Sequence, residues 1–274
     1  MKFGLAAGAV LLSVAGADAK LVTRPLEYKA GDTALVGYLA YDDAVEGKRP
    51  GVLVVHEWWG LDEYARRRAE QVAELGYVAL AVDMYGGGRT TRDPKQAGEW
   101  SGQVRRGPAW RERIKAAFDV LAGDERVDPR RIAAIGYCFG GASALQLAYC
   151  EPRLAGAVSF HGSLPPPDRI DYPNLKAKLL ILHGAADDFV SAKQIEAFQE
   201  ALDSAGADWQ MILYSGAVHS FTNPEADKAG LKGVAYNKKA DQRSWEHMKL
   251  FLKELFDRDP HRNPEPKQTR PAKG

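Results

Sequence analysis

The chain has 274 residues, 45% hydrophobic and 27% charged, with a formal net charge of +1. That length holds one large domain or two small ones. The even charge balance excludes the basic footprint that nucleic acid selects, so no nucleic-acid partner is expected and the Lys and Arg side chains read as solvated surface.

In chain order, residues 1–19 stand apart. Lys2 is followed by an apolar run from Phe3 to Val14, then by Ala15-Gly16-Ala17-Asp18-Ala19. A short basic start, a brief apolar stretch and an A-x-A site are the parts of a secretory signal, with cleavage expected after Ala19. The competing reading is an apolar N-terminal helix of the fold. The signal implies an exported protein, periplasmic or secreted. The run is too short for a comfortable membrane span, and no other run is long enough, so no span is expected in the mature chain.

Residues 22–29 and 35–41 have strand character, with Gly31-Asp32 as the turn between them. Residues 51–55 form a short apolar run that suits a buried strand. Residues 62–75 suit a helix, with Asp62 as N-cap and Gly76 as stop, and 78–82 the next strand. Residues 84–108 contain Gly86-Gly87-Gly88 and a polar, basic stretch with little apolar period, expected to be a mobile excursion or partial lid. Residues 109–121 return to helix, with Ile114, Ala117, Phe118 and Leu121 on one face. Further strands are expected at 131–135, 155–160, 178–182 and 209–214, and helices at 142–149, 191–204 and 237–256. Residues 258–274, rich in Pro, Lys and Arg, read as a disordered tail. One α/β domain over 20–257 follows. Strands alternating with helices predict a mostly parallel eight-stranded sheet covered on both faces, with its chemistry at the carboxyl ends of the strands.

The most informative stretch is Gly136-Tyr137-Cys138-Phe139-Gly140-Gly141, which lies between the apolar run 132–135 and a helix. It has the form of a nucleophile elbow, G-x-Nuc-x-G, with cysteine where serine usually stands. A reactive side chain on so sharp a turn needs small neighbours on both sides. The turn also aims the Phe139 N–H and the helix N-terminus at the reacting atom, which favours an anion there and lowers a thiol pKa. The other cysteine, Cys150, lies twelve residues on. Twelve helical residues rise about 18 Å, beyond disulfide reach, so Cys138 is expected to be a free thiol and Cys150 a small buried or half-buried side chain.

Two more polar groups follow strands. Asp187 and Asp188 come after 178–182, and His219 comes after 209–214. The order nucleophile, acid, histidine is that of the α/β-hydrolase fold. A thiol of pKa about 8.5 is mostly protonated at neutral pH, so it needs a base. Histidine accepts that proton and later returns one to the leaving group, while a carboxylate holds the imidazole's tautomer. Asp187 is the preferred acid and Asp188 the alternative. The oxyanion site requires two donors, assigned to the N–H groups of Phe139 and of Trp58 in the loop after 51–55. Glu57 in that loop either meets the thiol or pairs with one of the arginines at 66–68.

At these residues the sequence resembles the dienelactone hydrolase family. The resemblance runs over roughly residues 22–256. It is carried by Val55-His56-Glu57-Trp58-Trp59-Gly60, Val82-Asp83-Met84-Tyr85-Gly86, the cysteine elbow, His183-Gly184-Ala185-Ala186-Asp187-Asp188-Phe189-Val190 and Ala217-Val218-His219-Ser220-Phe221. It implies an α/β-hydrolase fold and a Cys138–His219–Asp187 triad. It also implies that Glu57 holds the resting thiol and helps activate it on binding. The implied reaction opens a lactone or cleaves an ester through a thiol acyl-enzyme, without metal or cofactor. Family members acting on dienelactones carry two arginines that clasp the substrate carboxylate, and the matching positions here hold Gly87 and Asn223. Arg89 and Arg92 are the candidate replacements.

The leading expectation is therefore a cysteine hydrolase of carboxylic esters, lactones or thioesters, with a small-molecule ester or lactone as partner. Tyr85, Arg89, Trp59 and Phe221 are the expected substrate contacts, and Trp58, Trp59, Tyr85 and Phe221 the aromatic wall. Core packing is the competing role for at least half of these aromatics. The alternative is a non-catalytic or redox-sensing protein that uses Cys138, and a third reading is a peptidase-like or acyl-transfer enzyme on the same scaffold. The six histidines form no H-x-x-x-H pair or Cys/His cluster, so no metal site is expected.

Overall fold

The computed structural model describes residues 20–257, so the expected signal segment 1–19 and the tail 258–274 lie outside the described residues. Leu21–Ala30 (β1) and Thr33–Asp42 (β2) make the antiparallel pair, and Gly31 turns between them with φ at +55°. Arg49–Val55 (β3), Val78–Val82 (β4), Val127–Tyr137 (β5), Gly156–Phe160 (β6), Lys178–Gly184 (β7) and Trp209–Tyr214 (β8) complete one eight-stranded sheet. Its order is β1-β2-β4-β3-β5-β6-β7-β8. The β1–β2 and β2–β4 pairings are antiparallel and the other five are parallel.

Successive side chains on a strand face opposite ways, and both faces of the central strands are apolar. Leu53 and Val55 of β3 join one core cluster, while Val52 and Val54 join the other. The first cluster is closed by Ala109–Ala122 (α3) through Ile114 and Phe118, by Phe139–Cys150 (α4) through Leu145, and by Ala192–Ser204 (α5) through Phe198. The second is closed by Glu63–Glu74 (α1) through Ala69 and Val72, and by Lys238–Phe256 (α6) through Met248 and Leu252. Fully burying side chains of this size stabilises by about 1.5–3 kcal/mol each. No helix of the described residues is long and apolar enough to cross a membrane.

Two helices differ from expectation. The elbow helix begins at Phe139 rather than 142, because the turn ends at Cys138 itself. The expected excursion over 84–108 contains a twelve-residue helix, Pro94–Arg105 (α2). Its start is conventional: Asp93 caps the N-terminus by accepting from the Lys95 N–H, and proline occupies the first turn. Its buried stripe is Ala97, Ser101 and Val104. The period is present, but two of its three residues are small, and the Ser101 hydroxyl donates back to the Ala97 carbonyl at 2.8 Å.

Strand order reverses at β3, which has β4 on one side and β5 on the other. The loops leaving β3 and β5 diverge there and open a crevice above the carboxyl ends of the strands. Glu57 and Trp58 follow β3, and Cys138 follows β5.

Candidate active site

Cys138 is one of three non-glycine residues with positive φ among those described, at φ +53° and ψ −114°. The surrounding glycines show why the chain tolerates this. A Cβ at Gly136 would stand 2.0 Å from the Gly140 carbonyl oxygen, one at Gly140 would stand 2.2 Å from the Val55 oxygen, and one at Gly141 would stand 2.5 Å from Ser159 Oγ. The elbow is thus packed directly onto β3 and β6. The Cys138 N–H is shared between the Phe160 carbonyl at 3.0 Å and His161 Nδ1 at 3.2 Å. Both cysteines are free.

The sulfur faces an imidazole. His219 Nε2 lies 3.0 Å from Cys138 Sγ, and His219 Nδ1 lies 2.8 Å from Asp187 Oδ2. Asp187 is buried, and its other oxygen accepts from the Phe189 N–H, whereas Asp188 is exposed. Of the two candidate acids, Asp187 is the one in contact. The His219 backbone is pinned on both sides, donating to the Gly233 carbonyl and accepting from the Ala235 N–H. Burial disfavours charge on this imidazole, but the Cys138 sulfur and the Asp187 carboxylate outweigh it and raise the His219 pKa to about 10.

Glu57 is also buried, but it does not pair with the arginines at 66–68. Its oxygens accept from Ser220 Oγ at 2.7 Å and from Asn223 Nδ2 at 2.6 Å. Burial pushes its pKa up, and the two donors and His219 oppose that rise. Asn223 stands where the resemblance has an arginine, so a neutral donor here replaces a charged one. The loop carrying Glu57 is set by His56, whose Nδ1–H donates to the Glu57 carbonyl while its Nε2 accepts from the Met84 N–H.

A cavity of about 790 Å³ opens over these groups. Cys138, His219, Glu57, Trp58 and Trp59 line it, and the two indoles pack with ring centroids 4.8 Å apart. Three expected substrate contacts are corrected. Tyr85 is buried and donates its hydroxyl to the Trp58 carbonyl, so it supports the loop from beneath. Phe221 is fully buried against His161 and Tyr214. Arg89 donates to the carbonyls of Tyr85 and Gly86 and stacks on Trp100, facing a separate small cleft. In each case the aromatic or cationic group is taken up by neighbouring backbone or core. Arg92 does line the cavity, 3.6 Å from Asp62. Phe139 buries its ring, leaving only its backbone for the site.

Behind the site runs a buried polar chain that motif reading does not reach. His161 Nε2 meets Thr222 Oγ1 at 2.7 Å, and Thr222 Oγ1 meets the Tyr64 hydroxyl at 2.6 Å. Arg68 donates to that hydroxyl, to the Thr222 carbonyl and to Asp241. Its only sequence signal is Arg68 on the apolar face of α1. His161 is fully buried, and burial and the neighbouring imidazole of His219 hold it neutral, well below the usual histidine range.

A mostly parallel sheet, with a thiol on a strand-to-helix elbow and an imidazole and carboxylate at later strand ends, defines a protein of the α/β-hydrolase fold. Within that fold the chain belongs to the dienelactone hydrolase family, whose profile matches residues 35–256, and it is accordingly a carboxylic ester hydrolase. Among solved structures, a dienelactone hydrolase-like promiscuous phosphotriesterase from metagenomic libraries is 37% identical with a TM-score of 0.84. The match covers 86% of this chain and 99% of that one. A structure titled m3DLH is 39% identical with a TM-score of 0.83, over the same shares. Protein usf of Aquifex pyrophilus is 28% identical over 237 residues, covering 84% of this chain and 98% of that protein.

Proposed function

We propose that the protein hydrolyses carboxylic esters, lactones or thioesters through a thioester formed on Cys138, with His219 as base and then acid and Asp187 orienting it. The observation that carries this reading is the unbroken contact from Asp187 through His219 to the sulfur, at 2.8 and 3.0 Å. At neutral pH the proton of the pair already lies on His219 Nε2, whose pKa is raised to about 10, and the Cys138 sulfur attacks the acyl carbon. The oxyanion lies against the N–H groups of Phe139 and Trp58, each such donor contributing about 3–4 kcal/mol to the transition state. The carbon–oxygen bond breaks as the imidazolium protonates the leaving oxygen. Water, deprotonated by the same imidazole, then attacks the thioester and releases the acid and the free thiol. Glu57, held by Ser220 and Asn223, leaves the sulfur to His219 in this arrangement.

Turnover of p-nitrophenyl acetate or butyrate tests this. Cys138→Ala is expected to abolish it, and rapid quenching of the wild-type protein should show one acyl group on Cys138 by mass spectrometry. Turnover retained in Cys138→Ala would overturn the assignment. We also propose that residues 1–19 direct export, so that the mature chain begins at Lys20. N-terminal sequencing after cell fractionation tests this, and an intact N-terminus in the cytoplasmic fraction would refute it.

A further inference from the structure

The cavity has two unlike sides. Towards β3 and β4 it is lined by Trp58 and Trp59 and, from the end of α2, by Arg105. Towards β7 and β8 it is lined by Phe189 and by Ala226, Ala229, Leu231 and Val234, from the segment that follows His219. Phe189, Leu231 and Val234 belong to neither core cluster. Phe189 is 57% exposed, the one aromatic among the exposed large hydrophobic side chains of the described residues. Apolar groups left out of the core and turned to a cavity gain burial only when a ligand covers them. The charged groups of the same segment, Glu225, Lys228 and Lys232, are exposed, and Lys228 pairs with Glu225, so they take the rim.

This wall is attached to the imidazole. The ring centroids of Phe189 and His219 are 4.9 Å apart, and the Phe189 N–H donates to Asp187, the carboxylate in contact with His219. Val234 lies beside His219 as a bridge neighbour, because the His219 N–H donates to the Gly233 carbonyl and the Ala235 N–H to the His219 carbonyl. Gly233 is what lets the Phe189 ring settle there. Its φ is +79°, and an added Cβ would stand 3.4 Å from Phe189 Cε2. Leu231 is fixed by a turn in which its carbonyl accepts from the Val234 N–H at 3.2 Å.

Resting on the hydrolase reading above, we propose that this wall is an alcohol subsite and that the enzyme selects open-chain esters of apolar alcohols. The leaving oxygen takes its proton from His219 Nε2, so the alcohol carbons lie next to that ring, where Phe189 and Val234 flank it. As the sulfur–carbon bond forms and the carbon–oxygen bond breaks, the alkyl or aryl group stays against Phe189, Leu231 and Val234. A small lactone keeps its leaving oxygen tethered to the acyl chain and presents no separate alcohol to this wall. Each methylene fully buried there is expected to raise kcat/KM about fourfold.

The test measures kcat/KM over ethyl, butyl and hexyl acetate. In wild type the value is expected to rise by roughly tenfold or more from ethyl to hexyl, as partial burial of four methylenes allows. Phe189→Ala and Leu231→Ser should each cut that ratio severalfold, and Phe189→Leu should keep most of it. A change that only loosened His219 would lower all three rates by one factor and leave the ratio intact, so the ratio reads the subsite itself. A wild-type ratio near one, or a ratio unchanged in both Phe189→Ala and Leu231→Ser, would overturn the proposal. Titration of 1-hexanol into Cys138→Ala, followed by amide NMR, separates the two readings. Shifts centred on Phe189, Leu231 and Val234, with no turnover of any ester by wild type, would sustain the apolar site and refute the hydrolysis. Turnover that is flat across the series, with no such shifts, would do the reverse.

Discussion

At His219 two opposing effects act on one proton. Burial favours the neutral ring, while the sulfur and the carboxylate favour the imidazolium and prevail. The folded pKa of about 10 lies above the ordinary 6.5. The contribution of this charge to stability is therefore complete below the ordinary value and is lost as pH rises through about 10. In the proposed mechanism the same proton is the one given to the leaving group. With alkyl esters, kcat/KM should decline above pH about 10, whereas p-nitrophenyl esters, whose leaving group needs no proton, should show no such decline. Titration of His219 by NMR should give a lower pKa in Cys138→Ala, since one of the raising contacts is gone. An unchanged value would refute the coupling. Glu57 gives a second expectation. Asn223→Ala leaves a buried carboxylate oxygen without its donor, at a cost of about 1–3 kcal/mol in urea unfolding at neutral pH. The cost should shrink in acid, because burial has raised the Glu57 pKa and a protonated carboxyl needs the donor less. Asn223 illustrates what motif reading misses. Comparison with the family's arginine marks the position as a loss, yet the residue that replaces it binds the carboxylate next to the site.

At the scale of elements, the elbow depends on how closely α4 approaches β3. Gly140→Ala would drive a Cβ to 2.2 Å from the Val55 carbonyl and 2.6 Å from that of His56. Backbone cannot yield as a side-chain tip does, so α4 must move off the sheet and carry the Phe139 N–H, the proposed oxyanion donor, away from the Trp58 loop. The expected outcome is a loss of at least about 3 kcal/mol, or no soluble protein. Gly87→Ala provides the contrast: its φ is +62° but nothing lies within 4 Å of the added Cβ. The strain of a left-handed alanine, about 1–2 kcal/mol, should be the whole effect. Denaturant melts of the two variants check both, and equal losses would show that the crowding is not decisive. The elbow was legible because its glycines are a local demand of a local turn. Helix α2 was less so. Its Asp93-Pro94 start is a clear signal, but a stripe of Ala97, Ser101 and Val104 carries little of the apolar contrast by which helices are recognised.

Across the whole molecule, Arg68 ties three parts of the chain together. From α1 it donates to Asp241 at the start of α6 and to the Thr222 carbonyl in the loop that carries His219. It also lies over the rings of Tyr64, Tyr137 and Trp245. Its partners hold the guanidinium firmly charged despite burial. Asp241→Asn leaves that cation buried without its counter-charge. A destabilisation of about 3–5 kcal/mol is expected, together with a fall in kcat as the His219 loop loosens. Urea unfolding and steady-state kinetics on the same preparation check this, and a loss below about 1 kcal/mol would class the pair with exposed ones.

Strand and helix periods, capping residues and the crowded glycines of the elbow act over a few neighbouring residues, so they could be read from the chain directly. The eight strands, the elbow with its thiol and the chain order of Asp187 and His219 followed from them. Contacts between distant segments could not be read that way. Cys138 and His219 are 81 positions apart, and Glu57 and Ser220 are 163 apart. Which carboxylate meets the imidazole, what holds Glu57, and whether Arg89 or Arg105 faces the cavity depend on how the loops leaving β3, β4, β7 and β8 are packed against one another. A side chain's partner is set by the geometry of all the elements around it, and no spacing within one segment encodes that.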